Sequence, residues 1–295
     1  MGEETAEFVQ TSDGRTLAYA QMGDLDGQPV FVLHGTPGSR LSGRHPDPAR
    51  VADAGIRVVT YDRPGNGRST RHRGRDVVDC VPDIAAIADA LGIERFVVTG
   101  ASGGGPHALA VAARLPERVI RAGCHVSAAP YDAPDLDWFE GMDPENVKEF
   151  GWALDGEETL ARELEKEANE KLTQLDEDPA TLLGDFQLSD ADQAVLRDEI
   201  VKERMRKSFR ESLASGVWGW VDDDLAFVKP WGFEVEEIRV PVQVRYGATD
   251  VLVPAGHGKW LARHVPNADV IIDHDAGHLA TPDEQLERLQ SLVAG

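Results

Sequence analysis

The sequence has few cysteines and no long apolar run. Only Cys80 and Cys124 occur among 295 residues, too few for a disulfide framework or a four-thiolate zinc site. No segment approaches the roughly 18 apolar residues that a membrane-spanning helix needs. The first residues, MGEETAEF, lack the basic start and apolar stretch of a secretory signal. We therefore expect a soluble, cytoplasmic protein with two reduced thiols and no membrane partner.

Basic residues are also scarce: 30 Lys and Arg stand against 52 Asp and Glu, for a net charge of −22. Such a charge repels nucleic acid, because affinity for phosphates depends on Lys and Arg contacts. No Gly-Lys-Ser/Thr phosphate loop and no GxGxxG after a strand is present, so we expect no nucleotide cofactor. Residues 131–230 hold 27 acidic against 11 basic residues, which predicts a separate module there.

Short apolar, β-branched segments alternate with helical patterns outside that acidic region. Eight segments predict strands: EFVQT, TLAYAQMG, PVFVLHG, IRVVTYD, RFVVTG, VIRAGCHVSA, VPVQVRYG and ADVIID. Most are too continuously apolar for a one-sided sheet, and indicate a mostly parallel α/β sheet flanked by helices. After the sixth strand the alternation stops, and the segments EETLARELEKEANEKLTQL and DADQAVLRDEIVKERMRKSFRESLA each predict one helix.

The strongest chemical signal is Gly100-Ala101-Ser102-Gly103-Gly104, which lies directly between a predicted strand and a predicted helix. A serine on such a tight turn is held in strained backbone geometry, so its neighbours must be small. The turn aims the helix N-terminus, with the amide of Gly103, at a negative oxygen forming on a substrate. Ser102 is therefore the candidate nucleophile.

A second loop, HGTPG at residues 34–38, follows the strand PVFVL. It can turn a backbone N–H, that of Thr36, toward the same oxygen. Gly35 belongs to this loop, and we expect His34 to brace it by hydrogen bonding rather than to act as the base. A third loop, YDRPGNGRS at residues 61–69, has no lysine after it, and we interpret it as a structural turn near the site entrance.

A serine nucleophile needs a base, and the base needs a third group that fixes its tautomer. Among nine histidines, His278 lies in the loop DAGH between the strand ADVIID and the last helix, at the carboxyl end of the sheet. Asp250 follows the strand VPVQVR at the same edge. The chain order Ser102, Asp250, His278 is the order expected for a serine elbow of this kind. We expect His107, behind the serine on its helix, to have a packing or surface role.

Together these motifs resemble the α/β-hydrolase fold family. HGTPG, YDRPGNGRS, GASGGG, YGATD and DAGH occur in the family's order over residues 1–130 and 232–295. The resemblance implies an eight-stranded α/β-hydrolase core with a helical cap at 131–231, inserted after the sixth strand. It also implies a Ser102-Asp250-His278 triad, and an oxyanion hole formed by the amides of Thr36 and Gly103. In family members the cap shapes the substrate pocket.

We therefore expect a carboxylesterase that cleaves small or medium esters through an acyl-enzyme, without metal or cofactor. An alternative is an aminopeptidase of the proline iminopeptidase kind, since HGTPG resembles that subgroup's HGGPG. Two departures oppose it: Thr36 replaces a glycine, and no tryptophan follows Ser102. A third alternative is a ligand-binding member without catalysis. We interpret the cap acids as a solvated surface, although they could instead hold a substrate's ammonium group. The oligomeric state is open.

Overall fold

The computed structural model describes residues 6–175 and 177–295. The expectation about a secretory signal concerns residues 1–5 in part, and those residues lie outside the described chain. In the part that is described, no helix is both long enough and apolar enough to cross a membrane.

An eight-stranded sheet forms the centre of the molecule, as the sequence predicts. Its strands are β1 (Glu7–Gln10), β2 (Thr16–Gly23), β3 (Gln28–Leu33), β4 (Ile56–Tyr61), β5 (Phe96–Ala101), β6 (Val119–His125), β7 (Val242–Gly247) and β8 (Ala268–Asp273). Their order across the sheet is β1-β2-β4-β3-β5-β6-β7-β8. The pairs β1/β2 and β2/β4 are antiparallel and all the others are parallel. The carboxyl ends of β3 to β8 therefore share one edge.

Helices cover both faces of this sheet. They are α1 (Pro48–Asp53), α2 (Val81–Ala90), α3 (Gly104–Arg114), α9 (Ala255–His264) and α10 (Pro282–Ala294). Because successive strand residues point to opposite faces, Phe31 and Val98 pack in the cluster with α2 and α3, whereas Val30 and Val97 pack with α1 and α10. This double burial explains why the strands are continuously apolar.

Among the described residues between β6 and β7 lie five further helices: α4 (Pro144–Asp155), α5 (Glu157–Gln174), α6 (Asp190–Val195), α7 (Glu199–Ser212) and α8 (Trp218–Phe227). They have an apolar cluster of their own, which includes Leu160, Leu164 and Trp220. The segment predicted as one long helix is two, α6 and α7. It breaks at Asp198, whose side chain accepts a hydrogen bond from the backbone N–H of Ile200 at 2.8 Å and begins α7. The domain boundaries at 131 and 231 stay a prediction.

Candidate active site

Ser102 lies on the turn that joins β5 to α3. Its φ of 54° is in the left-handed region, which a non-glycine residue adopts at a cost of about 1–3 kcal/mol. Its N–H donates to the carbonyl of His125 at 3.0 Å, and its carbonyl accepts from the N–H of Gly105 at 3.0 Å. A Cβ on Gly100 would overlap the carbonyl oxygen of Gly104, so the turn requires glycine there. The local sequence therefore holds the serine in one strained conformation.

Asp250 and His278 are joined at the same edge of the sheet. The Nδ1–H of His278 donates to Asp250 Oδ2 at 2.8 Å. The other carboxylate oxygen, Oδ1, accepts from the backbone N–H groups of Leu252 and Val253, each at 2.9 Å. Because the Nδ1–H of His278 donates to Asp250, the lone pair of the neutral imidazole lies on Nε2, as a general base requires.

The electrostatic surroundings of His278 favour its protonated form. Burial lowers the pKa of His278, but the charge of Asp250, its hydrogen bond and the charge of Asp192 together outweigh burial and raise the pKa above its ordinary value. Asp192 belongs to α6, and its Oδ1 accepts from the N–H of Leu279 at 2.7 Å. A helix between β6 and β7 thus fixes the loop that carries His278. The sequence did not predict this contact, because Asp192 and Leu279 are 87 residues apart and no motif near Asp192 indicates its partner.

Ser102 and His278 border one cavity at this edge. Within the described chain, no hydrogen bond joins the Ser102 hydroxyl to the imidazole. Such bonds are often long or poorly aligned without substrate, and they tighten in the reacting complex. The structure brings the predicted serine and base to the same cavity, and their catalytic roles remain a prediction.

Loop 34–38 lies against the serine. A Cβ on Gly35 would sit 3.3 Å from Ser102 Cβ, and one on Gly103 would sit 2.5 Å from the Thr36 hydroxyl. Neither the Thr36 N–H nor the Gly103 N–H donates to any other residue that the structure describes. Two amides beside a candidate nucleophile therefore have no competing acceptor, and their role as an oxyanion hole remains a prediction.

His34 supports this loop from beneath. Its Nε2 accepts from the backbone N–H of Arg63 at 3.1 Å, which leaves the proton on Nδ1, and Nδ1 donates to the carbonyl of Gly35 at 2.7 Å. Burial and the nearby charge of Arg63 hold the pKa of His34 well below its ordinary value, so the ring is neutral. The ring of His34 therefore links loop 34–38 to the backbone of Arg63.

The loop at residues 61–69 carries Arg63, whose side chain binds both loop 34–38 and the carboxylate of Asp223. Its guanidinium donates to the carbonyls of His34 and Gly35, to the Thr36 hydroxyl at 3.0 Å, and to both carboxylate oxygens of Asp223. The side chain is fully buried, so the loop lies under loop 34–38 rather than at an entrance. The arginine was missed from sequence because its partners are distant along the chain.

Asp223 lies on α8 and links that helix to the core. It accepts from Arg63 at 3.0 and 2.7 Å, from Arg75 at 2.6 Å and from the Thr36 hydroxyl at 2.9 Å. Burial tends to raise the pKa of Asp223, but the charges of Arg63 and Arg75 outweigh it and hold the pKa well below the ordinary value. The prediction of a solvated acidic surface is wrong for this residue, which is fully buried.

The cavity has a volume of about 430 Å³ and lies between the sheet edge and helices α4, α5, α7 and α8. Much of its wall is aromatic: Trp138, Phe150, Phe186, Phe209, Trp220 and Phe227. Carboxyl groups also line it, from Glu149, Glu167 and Asp224. Burial, followed by the charge of Glu167, raises the pKa of Glu149 to about 7, and burial together with Glu149 raises that of Asp224 well above its ordinary value. The pair can thus share a proton near neutral pH.

His107 and the two cysteines lie in the core. His107 is buried, and its Nδ1 lies 2.8 Å from the carbonyl of Gly103, which is a packing role. Both Cys80 and Cys124 are buried free thiols. Over residues 6–175 and 177–295, no group of three or more His, Cys, Asp or Glu side chains is arranged to hold a metal ion.

Comparison with known proteins places this geometry in a family. The family model described as alpha/beta hydrolase fold matches residues 28–285. A proline iminopeptidase of Xylella fastidiosa (strain 9a5c) is 40% identical over 112 residues, which is 36% of this chain and 34% of that protein. A pimeloyl-[acyl-carrier protein] methyl ester esterase of Nitrosomonas europaea is 30% identical over 226 residues, 76% of this chain and 78% of that protein.

The chain spans only about a third of the length of proline iminopeptidases that it matches. Among solved structures, the enol-lactonase from Burkholderia xenovorans LB400 has a TM-score of 0.70 with 21% identity, covering 98% of this chain and 100% of its own. At that identity the likeness shows the fold.

Proposed function

This chain belongs to the α/β-hydrolase fold family, and we propose that it is a serine hydrolase that cleaves carboxylic esters of small or medium size. The observation that carries the proposal is the Asp250–His278 pair, set with its free Nε2 in the cavity that Ser102 borders. A hydroxyl, an imidazole of fixed tautomer and a buried carboxylate at one sheet edge are the groups that acyl transfer uses.

In the proposed reaction, Ser102 Oγ attacks the ester carbonyl carbon while His278 Nε2 takes the hydroxyl proton. The N–H groups of Thr36 and Gly103 hold the oxyanion of the tetrahedral intermediate. His278 then gives the proton to the leaving alcohol. Water, activated by the same imidazole, attacks the acyl-enzyme and releases the acid. Asp250 stabilises the imidazolium at both steps.

The aromatic cavity wall supports an ester substrate with an apolar acyl or alcohol part, because such surfaces bury apolar groups favourably. The match to a methyl ester esterase over 76% of the chain reaches beyond the sheet into the helices between β6 and β7.

A fluorophosphonate probe tests the nucleophile. We expect covalent labelling of the wild-type protein and none of Ser102→Ala. Ser127→Ala is the matched control, since Ser127 is a buried serine whose hydroxyl is bonded to the carbonyl of His125, and it should label like wild type. Labelling should accompany turnover of p-nitrophenyl butyrate. A folded wild-type protein that neither labels nor turns over any p-nitrophenyl ester would instead be a binding member of the family.

A second candidate function is an aminopeptidase, and one observation favours it. Glu149, Glu167 and Asp224 line the same cavity, and Lys171, 3.5 Å from Glu167, is the cation beside them. A substrate ammonium could replace the proton that Glu149 and Asp224 share. Hydrolysis of proline p-nitroanilide, lost in Asp224→Asn while p-nitrophenyl butyrate turnover persists, would favour the peptidase over the esterase.

A further inference from the structure

The cavity has a second polar wall, on the side of helix α10. This α10 wall is formed by Thr99, His125, Arg204, Gln285 and Arg288, all of which line the cavity that Ser102 borders. Thr99 Oγ1 and His125 Nε2 lie on the same face of the sheet, 2.6 and 3.0 Å from the point that a Cβ on Gly123 would occupy. The α10 wall thus continues from the helix to the end of β5 and β6.

The polar groups of this wall lack partners. Thr99 and His125 are 4% and 5% exposed, and neither Thr99 Oγ1 nor His125 Nε2 has a hydrogen-bond partner among residues 6–175 and 177–295. The Nε of Arg204 is likewise buried without a partner in the described chain. Leaving a buried polar group unpaired costs about 1–3 kcal/mol each, so a group supplied from outside the chain would relieve the wall.

Neither arginine of the wall is hydrogen-bonded to a carboxylate of a described residue. Arg204 donates to the carbonyl of Ser42 and to Gln285 Oε1, each at 2.9 Å, and to no carboxylate of a described residue. Burial lowers the pKa of Arg204 to about 10, because it outweighs the charge of Asp198, which acts from beyond ion-pair distance. Two neutral oxygens do not balance the charge of this partly buried guanidinium, which a counter-charge would stabilise.

Arg288 has weaker polar contacts than Arg204. Its side chain is 13% exposed, and its one ion pair among the described residues is with Asp273, at 3.8 Å. The carboxylate of Glu284 also acts on its charge, but from beyond ion-pair distance. Asp273 already accepts from Arg245 at 2.8 Å through both oxygens. Burial and the charge of Arg245 lower the pKa of Arg288. The cavity therefore holds a guanidinium that shares its carboxylate with Arg245 and makes no hydrogen bond to a described residue.

Resting on the proposed hydrolysis at Ser102, we propose that the α10 wall is a subsite for a carboxylate, and that the substrate is an ester bearing a free carboxylate. A guanidinium binds a carboxylate through parallel N–H groups, and these charge-assisted bonds gain strength where water is excluded. The Thr99 hydroxyl can donate to the same anion. His125 is neutral, because burial and the charge of Arg288 lower its pKa to about 3.

Two esters that differ only in the terminal group test the subsite: monomethyl adipate, which carries a carboxylate, and methyl hexanoate, which ends in a methyl. We expect a higher kcat/KM for monomethyl adipate in the wild type. In Arg288→Gln the ratio of the two kcat/KM values should fall about 10- to 100-fold, the loss of one charge-assisted hydrogen bond. Any change in the pKa of His278 affects both esters equally and leaves the ratio unaltered.

Arg263→Gln is the matched control, because Arg263 is an exposed arginine on α9 outside the cavity, and it should keep the wild-type ratio. Arg288→Lys should restore part of the ratio through its charge. Arg204→Gln is the second variant should Arg288→Gln not fold. A wild-type ratio at or below one, or an unchanged ratio in both glutamine variants, would overturn the subsite.

Calorimetric binding of monomethyl adipate to Ser102→Ala separates this proposal from the proposed function. Binding that weakens about tenfold on adding Arg288→Gln, but not on adding Arg263→Gln, supports the subsite even if no ester is cleaved. Equal affinity in both double variants, or equal affinity for methyl hexanoate, counts against it even if esterase activity is found.

Discussion

Replacing Asp223 by asparagine removes one negative charge at the point where α8 meets loop 34–38. The shape of the side chain is kept, but Arg63 and Arg75 remain buried without their carboxylate, and the Thr36 hydroxyl loses a charged acceptor. Breaking a buried ion pair by removing one partner typically destabilises a protein by about 3–5 kcal/mol. At roughly 2 °C per kcal/mol for a chain of this size, we expect Tm to fall by about 6–10 °C.

The same substitution should slow catalysis. Thr36 supplies one of the two proposed oxyanion donors, and the loss of such a donor lowers kcat by about 10²- to 10³-fold. Because Asp223→Asn displaces the amide rather than removing it, we expect a fall in kcat of about 10- to 100-fold with little change in KM. The measurements are thermal unfolding by circular dichroism and p-nitrophenyl butyrate kinetics, at a temperature where the variant is folded.

Asp222 provides the matched control. It is the preceding residue of α8 and equally buried, but its carboxylate pairs with Arg71 at 2.8 and 2.9 Å, away from loop 34–38. Asp222→Asn should lower Tm while kcat stays within about twofold of wild type. A folded Asp223→Asn protein with unchanged kcat would refute the link between this carboxylate and the oxyanion donor.

Three further outcomes follow from the site. The acid limb of the pH profile of kcat/KM should lie above pH 6.5, because His278 must be neutral to act as a base and its folded pKa is raised. The same raised pKa should stabilise the folded protein below pH 6.5. This stability is lost as the pH rises through the folded pKa, which unfolding measured against pH would reveal. In Asp192→Asn the limb should move to lower pH, because one negative charge near the imidazole is gone; an unmoved limb would assign Asp192 only its bond to the Leu279 N–H. Gly100→Ala should fail to give folded, probe-reactive protein, because the new Cβ overlaps the Gly104 carbonyl; normal labelling of that variant would contradict the elbow geometry.

Much of the core was predictable because its signals are local. Continuous apolar segments separated by helical patterns predict a sheet buried on both faces, and the eight strands lie where those segments are. The glycines around Ser102 predict a tight turn because no bulkier residue fits there. The position of His278 after β8 and of Asp250 after β7 places both at one edge, since the carboxyl ends of parallel strands meet.

The helices between β6 and β7 were harder to predict. Helix α8 begins at a Trp-Gly-Trp sequence and has three consecutive aspartates among otherwise apolar residues, so no helical periodicity marks it. The break between α6 and α7 depends on one capping aspartate within an otherwise helical pattern.

The three consecutive aspartates of α8 separate what the sequence determines from what the tertiary structure decides. Residues 222–224 are identical aspartates, and the sequence indicates only an acidic surface at these positions. In the fold all three are buried: Asp222 pairs with Arg71, Asp223 joins Arg63 to Thr36, and Asp224 enters the cavity beside Glu149. Local sequence fixes backbone conformation, because a turn or a strand depends on adjacent residues. The partner of a buried charge depends on which distant segment the helix packs against, and that is set by the folded chain as a whole.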